Sequence, residues 1–306
     1  MSELQDVLII GGGPAGLSAA LNLGRSVADV TVVDADRPRN AATMKVHGFL
    51  TRDGIAPHEL KSIAREELTA YPTVHYRARQ RVFRLGRDEG VFVAEIGQRQ
   101  ATDVVFAQNV LLATGLQETL PAVPDLISYY GMSLFSCAAC DGWEQRGQRL
   151  GLFGAASDLA DRARLITRWT DALTVFTHGA PLIDAVAEAE LAAAGVTVER
   201  TPVAALHGEK GRIESVELAD GRSVPLDGGF IRPEWSVDLS FLDGIVLDRD
   251  ENGHVVTDGC GRTTEFGLYA AGDVAEGPQQ LIVAAGAGAR AAAVIVHDTV
   301  GVVTSH

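Results

Sequence analysis

The stretch DVLIIGGGPAGLSAALNLGRSVADVTVVDADR, from Asp6 to Arg37, leaves the chain few folds to choose from. An apolar strand pattern runs into a glycine-rich turn, an amphipathic helix pattern follows, and a second apolar strand ends on an acid. Gly11, Gly13 and Gly16 have the G-x-G-x-x-G spacing. The first glycine permits the tight turn, the second lets the backbone approach a pyrophosphate, and the third lets helix and strand touch. The unpaired N–H groups at the helix start then favour an anion. Asp34 ends the second strand, 23 residues after Gly11, where a carboxylate can receive ribose hydroxyls. The expectation is a dinucleotide site on a parallel sheet.

Two later stretches indicate which dinucleotide. TEFGLYAAGDVAEGPQQLIVAAGAGARAA carries Ala270-Ala271-Gly272-Asp273 at a strand end, and NVLLATG closes on Thr114 and Gly115. The first resembles the second flavin motif of two-dinucleotide-domain flavoproteins, whose acid binds the ribityl chain. The second resembles the strand that returns the chain from their flavin domain. The resemblance implies FAD. Between these motifs, LQETLPAVPDL (Leu116 to Leu126) reads as an outgoing linker and IRPEWSVDLSFLDG (Ile231 to Gly244) as a returning one. RLGLFG, SDLADRARLITRWT and ALTVFTHGA give a second strand–helix–strand start. The expected fold is therefore α/β, with two doubly wound Rossmann-like units. Residues 1–116 and 233–306 would form a discontinuous FAD domain, with 117–232 inserted into it.

Within the insert, Cys137 and Cys140 form a C-x-x-C followed at once by Asp141. A structural zinc site needs two further ligands, and Cys260 is the only other cysteine. Three cysteines in 306 residues do not make a secreted disulfide framework, which points to a reducing cytoplasm. A structural disulfide suits that compartment poorly. With FAD in the same chain, a redox dithiol is the reading that remains.

The order of motifs resembles the low-molecular-weight thioredoxin reductase family: flavin turn, C-A-x-C-D-G opening an inserted nucleotide domain, then A-A-G-D. Carried over by position, the resemblance makes Cys140 the flavin-facing sulfur and Cys137 the one that exchanges with substrate. Asp141 becomes the acid/base for the thiol proton, although a helix cap or solvated acid is the plainer reading. Gln280 and Leu281, at the start of the last helix, would lie over the flavin pyrimidine. The family also implies a homodimer. MKVHGFLTRDGIAPHEL (Met44 to Leu60) resembles the segment that crosses near the flavin ring. His47, beside Gly48, is there a candidate base or flavin hydrogen-bond partner, or else a plain surface histidine.

The pattern breaks in the insert. Its turn is GAASDL: Gly154 fits, but Ala156 stands at the close-approach position and Leu159 at the small packing position. After the next strand, Thr177-His178-Gly179 offers no arginine for a 2′-phosphate, and His178 is expected in solvent. NADPH use is thus not expected. Two relatives of thioredoxin reductase work without it. One resembles gliotoxin and holomycin dithiol oxidases, which close a disulfide in a small-molecule dithiol and pass electrons through FAD to O₂. The other takes electrons from reduced ferredoxin. A net charge of −14 disfavours an acidic ferredoxin, and it argues against nucleic acid or an anionic membrane as main partner. The oxidase is the leading expectation; a protein-disulfide reductase driven by NADPH or ferredoxin is the alternative. SYYGMSLF (Ser128 to Phe135) could line a substrate pocket or simply pack. The apolar stretch Leu281 to Val303, interrupted by Arg290, is expected to be a close-packed helix rather than a membrane span.

Overall fold

The computed structural model describes residues 4–302; Met1 and Val303, which the sequence reading touches, lie outside the described residues. Four parallel neighbours build the first sheet: β1 (Leu4–Ile10), β2 (Val30–Asp34), β3 (Val74–Ala78) and β6 (Asp103–Leu112). β5 (Val91–Gly97) extends it antiparallel to β6, and β4 (Arg81–Asp88) pairs antiparallel with β5, in the order β3-β2-β1-β6-β5-β4. The far half of β6 pairs in parallel with β17 (Leu268–Ala270). All of β2 is buried, as an apolar run in a parallel sheet covered on both faces should be. Register aligns Ile10 with Val33 and Leu112, and Leu112 with Ala270. Gly11, Asp34, Thr114 and Gly272 therefore all follow strand ends along one edge of this sheet, although three of the four come from distant parts of the chain.

The second sheet is entirely parallel, in the order β11-β10-β9-β15-β8. Its strands are β8 (Leu134–Phe135), β9 (Leu150–Gly154), β10 (Leu173–Phe176), β11 (Thr197–Glu199) and β15 (Gly228–Arg232). A three-stranded antiparallel piece, β12 (Val203–Glu209), β13 (Arg212–Leu218) and β14 (Ser223–Pro225), sits within that part of the chain. Where the chain passes between the sheets, β7 (Gln117–Thr119) pairs antiparallel with β16 (Glu234–Ser236). The expected α/β class with two Rossmann-like parallel units is what the chain adopts.

Helix α1 (Pro14–Arg25) follows β1, and α2 (Pro57–Leu68) precedes β3. The second half holds α3 (Ala138–Asp141), α4 (Leu159–Ile166) and α5 (Ala185–Ala193). The apolar C-terminal stretch forms α6 (Leu281–Thr299), long and apolar enough by composition to cross a membrane. Here its buried face, Ala284, Gly288, Ala291, Ala292, Val294 and Ile295, packs into the core cluster that contains α1. Small residues set how close the two helices come. A Cβ on Gly288 would lie 2.0 Å from the Ala15 carbonyl oxygen, so only glycine fits. Gly286, two residues earlier on the same helix, has nothing within 4 Å of such an atom.

That contrast is testable. Gly286→Ala is expected to stabilise by about 0.5–1 kcal/mol, the ordinary helical preference for alanine. Gly288→Ala is expected to destabilise, because helix α6 must move off α1. Chemical denaturation of both variants measures it, and equal effects would mean the α1–α6 contact does not depend on glycine.

Candidate active site

The first-sheet edge is shaped by its three glycines, each for a different reason. Gly11 has φ +115°, and a Cβ there would lie 2.2 Å from the Ala113 carbonyl oxygen. Gly16 lies inside α1, where a Cβ would stand 1.9 Å from the Gly11 oxygen. Gly13, the N-cap of α1, has no atom within 4 Å of that position and faces open space. No acid stands in the first turn of α1 and no side chain caps it, so its N–H groups and positive end remain open to an anion. Beside Gly11, the buried Thr114 hydroxyl has no hydrogen-bond partner among the described residues. Gly115, next to it, has φ +68°. An open backbone cradle at a helix start and an unpartnered buried hydroxyl fit a bound FAD.

Both acids expected to meet the cofactor carry partners that sequence reasoning missed. Asp34 Oδ2 accepts from Lys61 Nζ at 2.7 Å, Arg65 at 2.9 Å and the Tyr76 hydroxyl, while its Oδ1 accepts from the Asp36 N–H at 2.9 Å. Burial pushes this carboxyl up, but the bonds from Lys61, Tyr76 and the Asp36 backbone outweigh it and hold the pKa at about 2. Asp273 accepts from Arg39 at 2.6 Å, and Arg39 also reaches Glu118 at 3.1 Å and Gln279 at 3.3 Å. Gln280 is the N-cap of α6 and Leu281 its first residue. A lysine or arginine 27 to 234 positions from its acid leaves no local signal to find.

The cysteines are joined: Cys137 and Cys140 form a disulfide with Cα atoms 5.3 Å apart. They sit on the one-turn helix α3 just after β8, with Cys137 as its N-cap. The Cys140 N–H donates to Cys137 Sγ at 3.1 Å. When the bond opens, that donor favours a thiolate on Cys137. Gly142, in the D-G that ends the motif, must be glycine: a Cβ would lie 2.7 Å from the Trp169 ring.

Around this turn the structure gathers three ionisable groups. Asp141 is buried, and burial lifts its pKa from 3.8 to about 7, with nearby Glu144 pushing the same way and His47 opposing. His47 Nδ1 stands 3.7 Å from Glu144 and 3.6 Å from Asp53. His47 is thus half-buried and faces the redox turn, and not a plain surface histidine. Glu144 was not singled out in the sequence; it lies one helical turn beyond Cys140, which is the only hint it gives.

The second glycine turn is built differently from the first. Helix α4 begins five residues after Gly154, whereas α1 begins three after Gly11. A Cβ on Gly154 would meet Arg232 Cβ at 2.7 Å and Leu159 Cδ1 at 3.1 Å. Asp158, the N-cap of α4, pairs with Arg232 at 2.8 Å and Arg162 at 2.9 Å. Both guanidiniums stack on Trp235, at 4.0 and 5.1 Å. Ala156 is half-buried in this turn. The Asp158 carboxylate makes no cap hydrogen bond to α4 and is taken up instead by the two arginines. His178 is exposed as expected, though its Nδ1 accepts the Val203 N–H at 3.0 Å.

The stretch Ser128 to Phe135 is packed in part, while Met132 is 52% exposed. Tyr129 and Leu134 belong to a core cluster with Leu126 and Phe153, because β8 inserts this segment at the edge of the second sheet.

The sequence profile for pyridine nucleotide-disulphide oxidoreductases matches residues 5–288. A solved structure from Bacillus anthracis, assigned as the thioredoxin reductase TrxB, is 37% identical with a TM-score of 0.90, covering 96% of this chain and 98% of that one. The solved structure of HlmI is 30% identical with a TM-score of 0.92, covering 98% and 94%. Thioredoxin reductase aclD of Aspergillus oryzae is 29% identical over 291 residues, 89% of each chain.

The Asp141 environment has a consequence for stability. Its folded pKa is about 7, against 3.8 for an exposed carboxyl. Its contribution is therefore fully present below pH 3.8 and is lost as pH rises through 7. Asp141→Asn should gain stability over the wild type as pH rises through that window. Thermal melts of both proteins at about pH 5 and about pH 8.5 test this; a gap between them that does not widen toward alkaline pH would contradict the assigned environment.

Proposed function

The chain belongs to the pyridine nucleotide-disulphide oxidoreductase family and is an FAD-binding oxidoreductase of thioredoxin reductase-like fold, and on that premise we propose that it is a dithiol oxidase. In this reading residues 1–116 with 233–306 hold the FAD, and 117–232 carry the redox pair. The substrate is a small-molecule dithiol, the product its cyclic disulfide, and the final acceptor O₂. What supports the reading is the departure of the second turn from the nucleotide pattern, with Leu159 against Gly154 and Asp158 paired to Arg232, in a chain that keeps the Cys137–Cys140 bond. The 30% identity to HlmI across nearly the whole chain supports the same side.

The chemistry begins at Cys137. A substrate thiolate attacks Cys137 Sγ, forming a mixed disulfide and releasing Cys140 as thiolate. The second substrate thiol attacks the substrate sulfur of that mixed disulfide, closing the product ring and releasing Cys137, whose Sγ the Cys140 N–H stabilises. Two electrons and two protons have then passed to the protein pair. Asp141, with a pKa of about 7, is suited to give and take the proton at Cys140 Sγ near neutral pH. His47 and Glu144 set the charge around it. FAD, when bound at the first-sheet edge, supplies the two-electron chemistry that returns the pair to a disulfide and delivers the electrons to O₂ as peroxide. Gly11, Gly13, Gly16, Asp34, Thr114, Gly115, Gly272, Asp273, Gln280 and Leu281 are the residues proposed to hold it.

Relatives named thioredoxin reductases, aclD among them, favour a second reading: reduction of a protein disulfide with electrons from NADPH or ferredoxin. Turnover in air distinguishes the two. With dithiothreitol as a generic small dithiol, oxygen uptake should match peroxide and cyclic disulfide one for one. Cys137→Ser and Cys140→Ser should each lower the rate by about a thousandfold, the scale of removing a nucleophile. NADPH-dependent reduction of thioredoxin, with no oxygen uptake on dithiol, would establish the second reading instead.

A further inference from the structure

We propose that Glu118 is the positioning residue that holds the redox turn against the flavin side of the protein; the proposal rests on the functional reading above and extends it to a residue outside every motif. Glu118 lies on β7, in the short ribbon where the chain passes between the two sheets. Its carboxylate gathers donors from three directions. Oε1 accepts from Arg39 at 3.1 Å and from Trp235 Nε1 at 3.3 Å, and Oε2 accepts from the Tyr130 hydroxyl at 2.6 Å.

Each donor leads to a different part of the machinery. Arg39 holds Asp273 with its other terminal nitrogen, at 2.6 Å, which ties Glu118 to the acid at the first-sheet edge. The Tyr130 oxygen lies 3.2 Å from Ser136 Oγ, and Ser136 adjoins Cys137. Trp235 carries the Arg232 and Arg162 guanidiniums that close the second nucleotide turn through Asp158. One carboxylate thus meets the flavin side, the cysteine side and the plugged turn.

The physical chemistry favours a rigid joint. Arg39 is mostly buried, and though burial opposes its charge, Asp273 and Glu118 hold it firmly protonated. Glu118 is itself nearly enclosed, with 9% of its side chain exposed; removing it would take the acceptor from the Trp235 N–H and leave Arg39 to Asp273 and Gln279 and Tyr130 to Ser136. Bonds to charged groups in such a place are stronger and more directional than surface pairs. A two-stranded ribbon of three residues per strand has little stiffness of its own, and the carboxylate supplies what the ribbon lacks.

The test compares Glu118→Ala and Glu118→Gln with the wild-type holoprotein. Amide hydrogen exchange is read at residues 136–142 and 39–47, regions that touch Glu118 only through Tyr130 and Arg39. Anaerobic tris(2-carboxyethyl)phosphine then opens the disulfide, the phosphine becoming its oxide with oxygen from water, and the flavin absorbance is followed. Glu118→Ala should speed exchange in both regions and slow the flavin response by about tenfold or more, since small misplacements cost that much. FAD content and the rate of disulfide opening should not change. Glu118→Gln keeps one acceptor oxygen and should fall between the two. Unchanged exchange in both regions, or a slower flavin response that merely follows lost FAD, would overturn the role of Glu118. No flavin response in the wild type would instead sink the oxidase reading, while exchange would still decide the role of Glu118.

Discussion

The flavin side of the molecule depends on one close approach: the first turn of α1 is held between the Gly11 carbonyl and helix α6. Gly16 permits the first approach and Gly288 the second, each admitting a neighbour that a methyl group would expel. Because α1 is fixed there, its uncapped N-terminus stays aimed along the ends of β1, β2, β6 and β17. Every other feature of the flavin side, from Thr114 to Asp273, is arranged around that helix start.

The second sheet repeats this construction with the opposite outcome. The strand–turn–helix order is the same, and Gly154 stands where Gly11 does. Leu159 at the packing position lets α4 form only two residues later, and the space is taken by a carboxylate held between two arginines. There Arg232 and Arg162 stack on the Trp235 indole while pairing with Asp158. The fold of a nucleotide domain has been kept as a platform for β8 and the cysteine turn.

Much of this is legible in the chain because it depends on short-range pattern. Glycine spacing, apolar strand runs and the C-x-x-C-D-G are local, and each maps onto the element it implies. The departure of the second turn from the nucleotide pattern is also local, since a methyl stands at the close-approach position and an isobutyl group at a position that takes a small residue. What could not be read is pairing across distance. Arg39 with Asp273, Glu118 with Trp235, and Lys61 with Asp34 join residues 27 to 234 positions apart, and such surface-type residues carry no periodic signal. The environment of Asp141 was hidden for the same reason: its burial and its neighbours His47 and Glu144 follow from how the halves pack. Ser128 to Phe135 shows the converse: apolar composition does not say that Tyr129 and Leu134 enter the core while Met132 stays exposed.

The chain therefore unites a nucleotide turn kept open and one closed from within, with a disulfide between them. The most direct test of this account is anaerobic reduction of the purified flavoprotein, following the oxidised-flavin absorbance after separate additions of NADPH, NADH and a small dithiol. The account requires bleaching by the dithiol alone, reversed by air. Rapid bleaching by NADPH would contradict it, because Asp158 and Leu159 would then have to yield to a nucleotide they are built to exclude.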